Sequence, residues 1–489
     1  MYQQILLEAS RGGSMTGAMG DKGVQELMKA LEAGNQASNV GLTGGAALRV
    51  QNLDKTLQAT IIENKHFALF NRLPKPKVGG TIDEWTEQSG IGGFLGGSTN
   101  TEAGRVRSAT GKYARRHGEV KFLMTRREVT LAAELQQGIA SAEGLEQASG
   151  AKQLLQDAEY LCFEGDANVV PTEFSGIFAQ IKEGVAEGKV DPGNIVDVDG
   201  KSITDFLPLA SAAAQIASRK NFGTPTDLFM SMQVQADLDS YLLPQYRVSL
   251  SKDGNDVSLG APVSAIRTSA GNIKTTQDVL LRDETDMKPF ELEEPQIAAA
   301  NAGMKPAGLT VEVVPGAVDS RFYANRAGTY YYAVASQSAA GQTQVVISDA
   351  VVVAQGDSVK ITINRSAGQE EDGYVIYRSR QDGTDNVADF REMLRIPKAN
   401  AATTVHVDLN RDLPGATKAC ILNMTKGDTA ILWRSFLPHM KFNLYPTDSP
   451  VNPWLQLLWG YLRISKLRHH AILTNIVTRH QVWRPHKGE

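Results

Sequence analysis

The sequence predicts an α+β protein in which an all-β segment interrupts a mixed one, on three observations. Apolar residues from Val129 to Leu161 recur at helical spacing, residues 195–300 alternate short extended and helical stretches, and residues 303–412 hold seven short strand candidates divided by turn residues. With 489 residues the chain exceeds one ordinary core, so several domains are expected. A content of 42% hydrophobic and 21% charged residues is that of a folded globular protein and excludes a disordered or fibrous chain. The formal net charge of -4 provides no general field to gather nucleic acid.

Residues 1–45 mix Gly, Ser, Met and Ala around one helical stretch, Val24 to Ala33, and are expected to form an arm. From Leu57 the pattern turns extended through Ile61, Ile62 and Phe67 to Leu73, then meets Pro74-Lys75-Pro76-Lys77, where both prolines discourage helix. Residues 79–120 carry strand patterns at both ends, Thr81 to Trp85 and Lys112 to Val120, around a tip rich in Gly, Ser and Thr. A two-stranded excursion of that length cannot bury its own apolar surface, so it needs a partner to lie on. Thr125-Arg126-Arg127-Glu128 is a capping-box sequence, and a helix is expected to open there. Continued to Phe163 it would be a rod of about 60 Å. Gly138, Gly144 and Gly150 mark where it would break.

Val196 to Lys201 reads as a hairpin with a type I′ turn at Asp199-Gly200. A helix is expected from Ser202 with Asp205 at its capping partner position, a strand from Asp227 to Val234 and a helix from Gln235 to Leu243. The seven strand candidates run Leu309 to Val314, Thr329 to Ala335, Gln344 to Val353, Ser358 to Ile363, Gly373 to Arg378, Glu392 to Ile396 and Thr404 to Leu409, the pattern of an immunoglobulin-like or fibronectin-like sandwich. Mixed texture then returns, with strands expected at Ala419 to Met424 and Ala430 to Trp433, a helix at Trp454 to Leu462 and a last strand at His470 to Val477. The sandwich thus reads as an insertion into the mixed domain.

Cys162 and Cys420 lie in apolar settings and are expected to be buried, reduced thiols. The opening Met1 to Glu8 has no basic flank before a long apolar stretch and does not read as a signal peptide, so the chain is expected to stay in the cytoplasm where it is made. Phe206 to Ala217, the longest apolar segment, is broken by Pro208, Ser211 and Gln215 and is too short to span a bilayer. No membrane partner is expected.

Motifs of enzymes fail on spacing. The glycines of Gly90 to Gly97 are not at dinucleotide-loop positions, Gly111-Lys112 lacks the upstream glycine and following hydroxyl of a phosphate loop, and Ser14 lacks the second glycine of a nucleophile elbow. Asp197 and Asp199 resemble part of a calcium loop, but Phe206 stands where the closing Glu belongs. His469, His470, His480 and His486 have no Cys or carboxylate partner at metal spacing. Neither cofactor nor metal is expected. The run Arg105, Arg107, Lys112, Arg115, Arg116 and His117 reads as an inter-subunit contact surface in preference to a grip on DNA, with Glu84, Glu87, Asp283 and Asp286 as candidate acidic partners.

Two adjacent stretches, Glu159-Tyr160-Leu161-Cys162-Phe163-Glu164-Gly165-Asp166 and Pro171-Thr172-Glu173-Phe174-Ser175-Gly176-Ile177-Phe178, resemble the tailed-bacteriophage major capsid proteins. There a long spine helix closes on a Gly-Asp pair and Glu-Phe-x-Gly follows; Gly165, Asp166, Phe174 and Gly176 are the matching positions. The order of arm, long hairpin, long helix, mixed domain and returning strand is similar to that family over about four fifths of the chain.

The resemblance implies a Hong Kong 97-type capsid fold. Its parts would be an N-terminal arm (1–78), an extended hairpin or E-loop (79–120), a peripheral domain with the spine helix (121–190 and 468–489), an axial domain (191–302 and 413–467) and the sandwich (303–412). It also implies a shell subunit without enzymatic activity, acting in the virion after assembly in the bacterial cytoplasm. Its partners would be copies of itself in hexamers and pentamers, portal, scaffold and cement proteins, and double-stranded DNA enclosed without sequence-specific binding. An encapsulin-like compartment shell and a surface adhesion protein built on the sandwich are the alternatives.

Overall fold

The computed structural model describes residues 61–135, 141–242, 249–250, 257–258, 262–289, 303–427, 429–446 and 449–487; the helical stretch expected at Val24 to Ala33 lies outside them. The described chain enters through Leu69, Phe70 and Leu73, buried in the main core, and leaves as the antiparallel pair β1 (Ile82–Gly90) and β2 (Lys112–Glu119). β3 (Lys121–Thr130) follows directly, and the capping-box sequence Thr125 to Glu128 lies inside it. No helix opens there, because β3 pairs along its length with a strand over 300 residues away. Such a ladder outweighs a local cap worth about 1 kcal/mol.

Two helices come next, α1 (Leu131–Leu135) and α2 (Ala142–Glu164). The Ser141 hydroxyl caps α2 by accepting from the Gly144 amide at 3.3 Å. The 23 residues of α2 span about 35 Å, shorter than the expected rod. Gly144 and Gly150 are tolerated within it, and at Gly150 a Cβ would stand 2.9 Å from the Gln456 side chain.

Then come α3 (Ile177–Ala186), β4 (Ile195–Asp197), α4 (Leu207–Ile216), β5 (Asp227–Met230), α5 (Met232–Leu242), the short pair β6 (Ser249–Leu250) and β7 (Val257–Ser258), and the hairpin β8 (Ala265–Thr268) with β9 (Gly271–Gln277). Asp199 and Gly200 both have positive φ, 57° and 79°, as a type I′ turn requires. They close no hairpin, since β4 pairs in parallel with the last strand of the chain. α4 begins five residues after the expected Ser202, where Pro208 fits the first turn; Asp205 still helps by accepting from the Leu207 amide at 3.2 Å.

The segment from 308 to 408 is all β: β10 (Gly308–Val314), β11 (Gly328–Tyr330), β12 (Tyr332–Ser338), β13 (Gly341–Gln342), β14 (Val346–Ile347), β15 (Val351–Val353), β16 (Ser358–Asn364), β17 (Gly373–Ser379), β18 (Phe390–Pro397) and β19 (Thr403–Asp408). One sheet has the order β10-β16-β19, the other β13-β12-β17-β18 with β14 also on β12, and β11 pairs with β15. Alternate residues of both sheets, including Val359, Ile361, Ile363, Tyr332, Val334, Tyr374 and Ile376, meet in one core. Each expected strand is present, two of them broken in two. The connectivity, however, departs from the immunoglobulin pattern. An immunoglobulin domain joins its first, second, fourth and fifth strands in one sheet. Here the first, fourth and seventh candidates share a sheet.

The chain ends with β20 (Thr417–Leu422), β21 (Ile431–Asn443), β22 (Val451–Ile464) and β23 (Ala471–Ile476). Trp454 to Leu462, expected as a helix, is the centre of β22, held between β21 and β3. Most of its residues are buried whichever face they occupy, which erases the period of two by which a strand is recognised. These pairings also exchange the two C-terminal assignments. β21 and β22 join β3 beside α2, so most of 413–467 belongs with the helix-bearing domain. β23 joins the sheet β4-β23-β20-β5-β9-β8, so the last strand belongs with the mixed domain.

Two cores meet at that six-stranded sheet. Leu228, Met230, Ile421 and Leu473 face α4 and α5, whereas Phe229, Cys420, Leu422 and Ile472 face the core of α2, α3 and β22. Both cysteines are buried and free, as the sequence indicates.

Candidate assembly interface

The long hairpin is rooted by a buried carboxylate. Asp83 on β1 accepts from Arg434 (Nε at 2.8 Å, a terminal nitrogen at 3.0 Å), from Arg463 at 3.0 Å and from the Tyr461 hydroxyl at 2.7 Å. Burial alone would raise its pKa, but the Tyr461 hydroxyl and the two guanidiniums outweigh burial and hold it below the ordinary carboxylate value. Gly118, opposite Asp83 in the ladder, lets the Tyr461 ring lie against the hairpin backbone; a Cβ there would stand 2.3 Å from the ring. Arg463 also stacks over Trp85, its guanidinium 5.0 Å from the ring centroid. None of Asp83, Arg434, Tyr461 and Arg463 stands out in the sequence, where Asp83 lies 351 to 380 residues before the other three and shares no motif with them.

Beyond this root the basic residues divide. Arg116 pairs with Glu87 at 2.5 Å and Arg115 with Glu84 at 3.2 Å, both within the hairpin. Among the described residues Arg105, Arg107 and Lys112 make no ion pair, and all three are exposed. Ile91, Phe94, Leu95 and Val106 at the tip are also exposed, between 66% and 89%. Asp283 and Asp286 organise their own turn, Asp283 accepting from the Thr285 amide and Gln233, and the Asp286 carboxylate accepting from the Asp283 amide. The structure therefore brings Glu84 and Glu87 to the basic run but leaves Asp283 and Asp286 away from it.

The Gly165-Asp166 turn is a backbone crossing. Gly165 ends α2, and the Gly176 amide donates to the Gly165 carbonyl at 2.8 Å. A Cβ on Gly165 would stand 2.4 Å from the Phe174 carbonyl, and one on Gly176 would stand 2.5 Å from that of Leu161. Both glycines are needed for close approach. Asp166 accepts from the Asn168 amide at 2.9 Å, and Phe174 packs edge-on against Trp433 at 5.3 Å.

A second cluster binds the sandwich to the rest. Glu392 of β18 pairs with Arg282 at 2.7 Å and with Arg395 at 3.0 Å; Arg395 also donates to the Tyr160 hydroxyl of α2 at 2.5 Å. Burial alone would raise Glu392, but the Arg282 and Arg395 charges dominate and hold it far below the ordinary carboxylate value. Nearby, Glu284 pairs with Arg391 at 2.8 Å and Glu164 with Lys418 at 2.7 Å. Asp197 and Asp199 serve the same junction, pairing with Arg321 and, at 2.8 Å, with Arg326.

No protein-family model matches the chain. Curated relatives do. The major capsid protein of Staphylococcus phage K is 22% identical over 463 residues, 93% of this chain and 96% of the relative. The putative major capsid protein of Enterococcus phage phiEF24C is 21% identical over 460 residues, 92% and 95%. The chain is a phage major capsid protein. Solved structures align loosely along the capsid chain. They include the capsid of a native GTA particle (8% identity, TM-score 0.45, 90% of this chain and 100% of that one) and the capsid of Myoviridae phage XM1 (10%, 0.41, 91% and 100%). The capsid chain shares sequence with its phage relatives across nearly its whole length, so the all-β segment is part of that shared length.

Proposed function

We propose that the subunit builds the hexamers and pentamers of a closed phage head shell, with its long hairpin as the main reach onto a neighbour. One observation carries this reading: a hairpin fixed at its root by the buried Asp83 cluster ends in exposed apolar residues and three exposed cations without an ion pair among the described residues. A rigid root with an unsatisfied tip is suited to heterologous contacts, which generate rings. Each such contact needs only about 800 Å² per partner, because multivalency stabilises the closed shell. Arg105, Arg107 and Lys112 are the residues proposed to meet the neighbour. In this reading 303–412 is a passenger inserted in the axial domain, and double-stranded DNA, a portal and a separate scaffold are the remaining partners.

The test is electron microscopy of the expressed chain. Uniform shells, rings or tubes are expected; a strictly monomeric product would overturn the proposal. Reversing Arg105, Arg107 and Lys112 together to Glu is expected to lower assembled yield at least tenfold while circular dichroism of the soluble subunit stays unchanged.

A further inference from the structure

After β23 the chain does not simply leave the mixed domain; it crosses to the sandwich. Thr478 donates to Gln233 at 3.2 Å and the Arg479 amide to Asp237 at 2.8 Å, both on α5. Gln481 donates to the Gly415 carbonyl at 3.2 Å. Trp483 then donates to the Asp389 carbonyl at 2.9 Å, with the Arg391 guanidinium 5.0 Å from its ring. The Pro485 carbonyl accepts from the Gln381 amide at 2.9 Å, the Lys487 amide donates to Gln381 Oε1 at 2.9 Å, and the Lys487 ammonium pairs with Asp382 at 2.7 Å. Val482, between these anchors, is 94% exposed, so the contacts belong to chosen side chains and not to general burial.

The deepest anchor is His486, 2% exposed. Its Nδ1 lies 3.3 Å from the Tyr330 hydroxyl of β11 and its Nε2 3.4 Å from Asn410 Nδ2. Two guanidiniums act on it, that of Arg378 on β17 and that of Arg326 before β11. The neighbouring carboxylate, Asp408, is already engaged by Arg378 at 2.7 Å and by the Tyr332 hydroxyl at 2.9 Å. A neutral imidazole fits this place; a cationic one would be a third positive charge in a dry pocket. Burial first, then Arg378 and Arg326, push the imidazole far below its ordinary value of 6.5. His480, the other imidazole of this segment, is exposed and lies 3.9 Å from Asp237.

We propose that residues 478–487 form an acid-releasable strap that fixes the sandwich against the mixed domain, with the buried His486 ring as its trigger. The strap holds while the imidazole is neutral. In acid the released form takes up a proton that the docked form refuses, so opening is favoured by about tenfold per pH unit below 6.5.

Hydrogen exchange of the full chain tests this at the Gln381 and Lys487 amides, which bond across the strap, after correction for intrinsic rates. Relative to pH 7.5, protection at pH 4.5 is expected to fall by about a hundredfold in the natural chain, while amides of α2 near Ala158 stay protected. His486→Leu supplies a side chain of similar volume that cannot take up a proton and should hold its protection at pH 4.5; His486→Arg should lose it at both pH values. Equal protection at the two pH values, loss in His486→Leu matching the natural chain, or simultaneous loss in α2 would each overturn the proposal. The readout does not depend on shell assembly, so its failure is separable from failure of the capsid reading.

Discussion

At the scale of single residues, buried carboxyl groups decide where the extended parts of the chain are tied. Asp83 is surrounded by donors, so Asp83→Asn leaves Arg434 and Arg463 without their shared charge. Breaking a buried pair in this way costs about 3–5 kcal/mol. A matching fall in urea midpoint, with faster proteolysis of the 79–120 hairpin, is the expected outcome. Glu159 makes the opposite case. Its carboxyl accepts from the Leu69 and Phe70 amides, both at 2.6 Å, and so clasps the incoming chain to α2. Burial first, and then the adjoining Asp278 carboxyl, push it up to about 9, and burial raises Asp278 as well. Two carboxylates in one dry site cannot both ionise, so the folded pair keeps a proton that the unfolded chain gives up. Stability from this pair is full below the ordinary Glu value of 4.5 and is lost as the pH rises toward about 9. Asp278→Asn supplies a permanent donor to Glu159. Urea midpoints measured from pH 5 to 9.5 should therefore decline less steeply in that variant than in the natural chain.

At the scale of elements, the lesson lies in which local signals survived. Gly165 and Gly176 act through the nearest backbone, and the end of α2 stands at Gly165 where the Gly-Asp pair indicated. The Thr125 to Glu128 capping box had the right residues but lies inside β3, whose ten ladder pairs with β22 prevail. β22 in turn concealed itself by being apolar on both faces. The backbone crossing at Gly165 makes a strong prediction. Gly165→Ala places a methyl group 2.4 Å from the Phe174 carbonyl and 2.7 Å from that of Leu161. Backbone must shift to admit it, at a cost of about 3 kcal/mol. A lower melting temperature is expected, and an unchanged one would mean that the crossing relaxes freely. The candidate site was half legible on the same grounds. A basic run is visible in sequence, whereas its division into Arg115 and Arg116, paired within the hairpin, and Arg105, Arg107 and Lys112, left unpaired, depends on ladder register.

At the scale of the whole molecule, the sandwich is wired to its host through buried charge. Arg282 and Glu284 on one side meet Glu392 and Arg391 on the other, with Tyr160, Glu164 and Lys418 close by. Glu392→Ala should therefore lower the melting temperature sharply, since Arg282 and Arg395 would stay buried without their shared counter-charge. The same change combined with Arg282→Leu is expected to recover part of that loss, as judged by the same melting measurement. The sequence by itself determined what adjacent residues can decide: the seven sandwich strands, the hairpin, the glycine turn that ends α2, and the apolar setting of both cysteines. Only the tertiary structure decided the sheet order within the sandwich, the exchange of the two C-terminal segments between domains, and the meeting of Asp83 with Arg434, Tyr461 and Arg463. Strand pairing and buried ion pairs join residues hundreds of positions apart. Their energy depends on burial and register, neither of which is written in any local stretch of chain.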